Sequence, residues 1–257
     1  HVEGSTFSGD LGGGVVYASN SQLSLRRSTI SGSYFDGGVI AADTAQVEIE
    51  RSILWGNCDG SHGERDLDLR SGSHALLVCS NIHPQGILGE PTFQGPQLWE
   101  DPLFCHPPSC DHAPTEEAVL TLAANSPCLP AFSPCGELIG ALDVGCSALG
   151  ACCTGDGECV RVSADECVAL DGGFQAGLPC LPSPCVGACC AVDGSCIVES
   201  PETCAAAGGT FTGYASTCEV QPCAPLGACC LQDRSCESRT QAACLAAGGS
   251  FLAEHIP

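Results

Sequence analysis

The residues of this chain best placed to do chemistry are three carboxylates and an arginine. Asp66, Asp68 and Arg70 alternate with Leu67 and Leu69, and alternate side chains of a strand share a face. With both leucines turned inward, Asp66, Asp68 and Arg70 point out together. If Ile40 and Ala42 also point inward, Asp43 faces out one coil away. Such a set could hold Ca2+ through carboxylate oxygens and abstract a proton from a bound polysaccharide. The plainer reading is a solvated polar face. The neighbouring outward positions, Val15, Ser19, Val39 and Ala41, leave Tyr17 as the one ring on which a sugar could stack. The plainer reading is preferred, so no catalytic residue and no cofactor is expected. Ca2+ on Asp43, Asp66 and Asp68, with Arg70 beside them, is the alternative.

A second constellation, Cys105-His106 with Cys110-x-His112, imitates a zinc spacing. Against it stands the density of 23 cysteines in 257 residues, which points to an oxidising, extracellular type of compartment where cysteines pair. Disulfides with exposed histidines are therefore expected: Cys105 with Cys110, Cys128 with Cys135, and Cys58 with Cys79 across neighbouring coils. The first two would close short loops, stabilising by about 2–3 kcal/mol each. An odd total leaves at least one thiol free or intermolecular. The sequence contains no Gly-x-Ser-x-Gly, no His-Glu-x-x-His and no phosphate-cradling loop.

The elements that must position these residues are repeats. Gly13-Gly14-Val15-Val16 and Gly37-Gly38-Val39-Ile40 lie 24 residues apart. The same offset maps Leu23 onto Val47, Leu25 onto Ile49, Arg27 onto Arg51 and Ser28 onto Ser52. Apolar residues alternate with a strand period inside each copy, so stacked coils of a parallel β-helix are predicted. A third coil follows at a larger offset, its extra length lying in the loop from Cys58 to Arg65. A partial coil precedes them, with Ser5-Thr6-Phe7 aligned on Ser28-Thr29-Ile30. His1 falls in mid-pattern, which predicts further coils or another subunit against the first.

These coils resemble the right-handed parallel β-helix repeats of bacterial secreted and surface proteins, the polymorphic outer-membrane protein type. The carriers are the two Gly-Gly-apolar-apolar segments and degenerate Phe-x-x-Asn signatures at Phe7-Ser8-Gly9-Asp10 and Leu54-Trp55-Gly56-Asn57. The resemblance implies that Asp101-Pro102-Leu103-Phe104, Leu120-Thr121-Leu122, Asn125-Ser126-Pro127-Cys128 and Ile139-Gly140-Ala141 close the stack. The helix would then occupy 1–146, with a cap over about 100–146.

Cysteine modules make up the rest. Gly150-Ala151-Cys152-Cys153 returns at Gly187 and at Gly227. In each copy five intervening residues lead to a third cysteine (Cys159, Cys196, Cys236) and seven more to a fourth (Cys167, Cys204, Cys244). A double glycine and a phenylalanine then follow. Asp156-Gly157 and Asp193-Gly194 predict type I′ hairpin turns, and Asp233-Arg234 a different one. Ser163, Ser200 and Thr240 predict helix N-caps, and the double glycines left-handed C-termini. Beginning each module at its Cys-Cys pair gives 147–186, 187–224 and 225–257. The last is then two cysteines short, which predicts a truncated end. Beginning it two cysteines earlier makes the spacing resemble hevein-type chitin-binding modules. Their sugar-stacking rings have no counterpart here, so sugar binding is not carried over.

A net charge of −22 with eight arginines and no lysine argues against nucleic acid and anionic membranes as partners. No apolar run is long enough to span a bilayer. The expected protein is all-β: a right-handed parallel β-helix followed by small disulfide-rich modules with short hairpins and helices. The expected role is extracellular structure or adhesion, without enzymatic activity. Its partners would be itself, through the open first coil, or other surface proteins. The alternatives are a secreted polysaccharide lyase or hydrolase and a non-catalytic carbohydrate-binding protein.

Overall fold

The structure, a computed structural model, describes residues 1–8, 15–34, 37–61, 63–107, 118–181, 183–191, 194–220, 223, 226–231 and 234–252. Its contacts divide the chain into two units, His1–Leu149 and Gly150–Pro257.

The first unit is a parallel β-helix with three strands to each coil. One sheet stacks Val2–Glu3, Gln22–Arg26, Gln46–Glu50, His74–Val78 and Thr92–Gln94. A second stacks Thr6–Ser8, Thr29–Ser31, Ile53–Trp55 and Asn81–Ile82, and a third Val16–Ser19, Val39–Ala42, Leu67–Leu69 and Ile87–Leu88. The register follows the sequence repeat: Leu23 lies on Val47 and Leu25 on Ile49, and the next coil adds Ala75 and Leu77. Leu25, Ile30, Ile49, Leu54, Leu67, Leu77 and Ile82 fill the interior.

The third sheet corrects the expected facing. Val39 and Ala41 pack inward with Ala18 and Leu67, not Ile40 and Ala42. The cause is register: Val39 lies on Leu67 and Ala41 on Leu69, and a shift of one residue exchanges the two faces of a strand.

Polar ladders hold the corners. Ser28, Ser52 and Ser80 are buried and superposed. The Ser28 amide donates to Ser52 Oγ and the Ser52 amide to Ser80 Oγ, both at 3.2 Å. Each hydroxyl donates in turn to a carbonyl two residues back in its own coil, at 2.8, 2.9 and 3.1 Å. The residue before each serine, Arg27, Arg51 or Cys79, turns the chain with φ of 43, 47 and 48°. That conformation disfavours side chains with a Cβ.

The segment expected to close the stack instead folds back along its second sheet. Phe104, Leu120, Leu122, Leu129 and Ile139 pack on Ile53, which faces out of the coil. The Gly140 amide donates to the Arg51 carbonyl at 2.8 Å, and the Ala141 amide to Thr29 Oγ1 at 3.0 Å. This arrangement overturns the local disulfides. Cys79 pairs with Cys135, Cys105 pairs with Cys146, and buried Cys128 is a free thiol. Cys58 is disulfide-bonded, but not to Cys79. Short sequence separation misled because the flanking segment packs along the stack. Its cysteines therefore face distant partners, with Cα atoms 6.2 and 5.8 Å apart. Cys110 and His112 lie outside the described residues, and His106 is exposed.

In the second unit each Gly-Ala-Cys-Cys strand is the centre of a three-stranded antiparallel sheet: Leu149–Cys153, Gly187–Cys190 and Leu226–Cys230. The pairs Cys152–Cys167, Cys153–Cys185 and Cys159–Cys180 recur as Cys189–Cys204, Cys190–Cys223 and Cys196–Cys218. Disulfides thus group from the Cys-Cys pair onward. The third module keeps Cys229–Cys244, and its other two cysteines, Cys230 and Cys236, bond to each other.

The turn after the first central strand differs from the expected I′ form, since Gly157 takes a φ of 88° and Asp156 does not share that conformation. Gly194 and Arg234 take φ of 80 and 69°; Asp193 and Asp233 lie outside the described residues. In the third turn Arg234 takes the left-handed conformation that Gly157 and Gly194 hold in the other two, and its amide donates to the Leu231 carbonyl at 3.0 Å.

Ser163 with Glu166 forms a capping box, and Ser200 Oγ accepts from the Thr203 amide. The side chain of Thr240 is not among those described. At the helix ends the left-handed residues are Asp171, Gly208 and Gly248. The next glycine has another duty. A Cβ on Gly172, Gly209 or Gly249 would lie 2.5, 2.6 or 2.7 Å from the sulfur of Cys152, Cys189 or Cys229.

Two substitutions test these readings. Ser52→Ala leaves the buried Ser28 amide without its acceptor and is expected to cost about 1–3 kcal/mol, seen as a lower thermal midpoint. Gly209→Ala drives a methyl into the Cys189–Cys204 bridge and is expected to cost about 1–3 kcal/mol, with scrambled disulfides in peptide maps of that module.

Candidate functional site

The four residues of the alternative site do not converge. Asp43 Oδ2 accepts from Ser19 Oγ at 2.9 Å. Asp68 and Arg70 do share a face, but Arg70 binds Asp68 Oδ2 through Nη2 at 2.6 Å and Nε at 2.9 Å, with Arg65 Nη1 at 3.8 Å. Asp66 is not on that outer face. It is 0 % exposed, at the corner that precedes the strand.

Asp66 belongs to a different group. Asn57 donates to Asp66 Oδ1 from its side chain at 2.7 Å and its backbone at 3.1 Å, while also bonding Ile30 and Ser33 in the coil beneath. Gly86 makes room on the other side, since a Cβ there would fall 2.5 Å from Asp66 Oδ2. Glu64 arrives from the 58–65 loop, pinned by a bridge between Cys58 and Glu64 and by the Arg65 amide donating to the Asn57 carbonyl at 2.6 Å. His83 arrives from the next coil, where its ring meets Trp55 edge-on at 4.7 Å.

One ligand-type atom from each of Glu64, Asp66 and His83 lies within 4.8 Å of the other two, and among the described residues this is the one such grouping of three. Glu64 Oε2, Asp66 Oδ2 and His83 Nδ1 are all buried without a hydrogen-bond partner in the protein. The nearby His83 amide is given to the Leu54 carbonyl at 3.3 Å. Burial pushes the Asp66 carboxyl well above its usual range; hydrogen bonding by Asn57 and by the His83 backbone opposes the shift and the Glu64 charge adds to it. Burial likewise raises Glu64, against the pull of His83.

The sequence signalled this site only in part. The repeat places His83 on Trp55, and the extra residues of the third coil mark the loop that carries Glu64. Nothing in the pattern shows that Asp66 turns inward.

A groove of about 750 Å3 runs along the outer face of the first sheet, past Gln22, Ser24, Gln46, Glu48 and His74. No described Phe, Tyr or Trp lines it, so it offers hydrogen bonds to a glycan but no ring to stack on. No helix of the described residues is long and apolar enough to cross a membrane. No protein family matches the chain, and neither a curated protein nor a solved structure does.

The raised carboxyls fix the sign of a pH dependence. Each keeps a proton in the fold at a pH where the unfolded chain has released it. Their contribution to stability is therefore complete below the unfolded value and is lost as pH rises toward the raised folded value. Asp66→Asn keeps the acceptor that Asn57 needs. In chelator, it is expected to raise the thermal midpoint near neutral pH and to leave it unchanged at about pH 3, below the ordinary Asp value of ~3.9.

Proposed function

We propose that the chain is an extracellular structural or adhesive protein, in which the β-helix is a spacer and the disulfide modules are interaction units. The carrying observation is the exposure of apolar side chains at equivalent places on those modules. Val160 and Ile197 follow the third cysteine, and Val168 and Leu245 the fourth; Val168 is 75 % and Leu245 61 % exposed. Exposed apolar side chains mark interaction surfaces when they gather into a contiguous patch, which is the arrangement that the adhesive reading requires of these positions.

The ten disulfides joining described cysteines support an oxidising, extracellular setting. The resemblance of the coils to bacterial surface repeats agrees with secretion by a bacterium. The acidic surface, with net charge −22, disfavours polyanions as partners.

Sedimentation over a concentration series checks the self-association arm. The intact chain is expected to gain mass with concentration, and a Val168→Glu, Ile197→Glu, Leu245→Glu variant with an unchanged disulfide map to stay monomeric. Unchanged association in that variant would remove these positions from the interface.

A further inference from the structure

We propose that Glu64, Asp66 and His83 form a binding site for a divalent transition-metal ion, most suitably Zn2+, which pins the 58–65 loop to two successive coils.

The argument begins with unmet bonding capacity. Three polar atoms of ligand type, Glu64 Oε2, Asp66 Oδ2 and His83 Nδ1, are buried together and none has a hydrogen-bond partner in the protein. A single orphaned buried acceptor is costly, and clusters of them point to something that satisfies several at once. Asp66 is wholly buried and its other oxygen is locked by Asn57, so its carboxylate cannot turn to solvent for relief. A cation supplies the missing partner and offsets the two carboxylate charges.

The donor set selects the ion. Ca2+ and Mg2+ prefer six or more oxygens and take imidazole poorly, whereas an imidazole nitrogen with two carboxylate oxygens suits Zn2+. The separations are at most 4.8 Å, against a ~3.4 Å edge for a tetrahedron built on bonds of about 2.0–2.1 Å. Any excess is closed by the ligands drawing inward on binding. Glu64 can supply much of that movement, being carried by a loop, while Asp66 and His83 stand on two successive coils and are held by Asn57 and Trp55, both from the coil of Asp66. Trp55 and Asn57 thus orient two of the ligands, as outer-sphere groups commonly do.

Three protein ligands leave a coordination position for solvent. The ion is assigned a structural duty from where it sits, between a loop and the stack. The loop it holds is the insertion that makes the third coil longer than the second. Asp59 already gathers that loop, accepting from the Ser61 amide at 2.8 Å and the Gly63 amide at 3.0 Å. The metal joins this closed loop to the stack.

The test uses the whole chain, stripped with chelator and titrated with ZnCl2 by calorimetry, with bound metal counted by elemental analysis. One saturable equivalent is expected, raising the thermal midpoint. Glu64→Gln and His83→Gln should each weaken binding at least about tenfold, while His74→Ala, which removes a histidine of the outer groove, should bind as the unaltered chain does. Glu64→Gln guards against misfolding, because its side chain lies in the loop and not in the coil interior. Absence of a saturable equivalent overturns the proposal, as does equal affinity in all three variants or loss in His74→Ala alone. CaCl2 at equal concentration should not displace the Zn2+; displacement would overturn the choice of a transition ion.

Discussion

The β-helix depends on a hydrogen bond between a backbone amide and a serine hydroxyl one coil away. Coils in a parallel stack could slide, because strand ladders repeat along their length. The Ser28, Ser52 and Ser80 corner permits only one register, since any slip buries an amide without an acceptor. That register places Val39 over Leu67 and Leu25 over Ile49, and with them the apolar interior. It also sets Trp55 against His83 and so positions the metal-capable cluster. The left-handed turns at Arg27, Arg51 and Cys79 are tolerated because the ladder compensates for them at every corner.

Much of this was legible in the sequence, for a clear reason. The match of Leu23, Leu25, Arg27 and Ser28 to their counterparts 24 residues on records contacts between neighbouring coils, and periodicity reports such contacts directly. What failed was whatever depends on chain folded back from afar. The partner of Cys79 is Cys135, 56 residues away, and no spacing rule reaches that far. The inward turn of Asp66 was hidden because alternation applies within Leu67–Leu69 and ends at the corner before it. Val39 and Ile40 are both apolar and differ little in size, so composition alone could not choose which of them faces inward. For the site itself, Glu64 sits in a non-repeating loop, where no second copy exists to compare.

The modules solve a different problem. Their sheets are too small to bury much apolar area, so sulfur replaces hydrocarbon as the interior. Cys152, Cys167, Cys189, Cys204, Cys229 and Cys244 are among the most buried residues of the unit. The glycines that follow each helix are required by the volume of those sulfurs. Apolar side chains that would be interior in a larger domain, such as Val168 and Leu181, are left outside. This is why the same feature that makes the modules small also makes them adhesive in the proposed function.

Cys128 has one more consequence. It is the free thiol among the described cysteines, fully buried against Asn81, and burial pushes it up to about 12. Thiol reagents attack the thiolate, so in the closed state this sulfur is silent. It reacts only when the flanking segment lifts from the coils. The rate at which it is labelled therefore reports the opening of the seam between stack and flank.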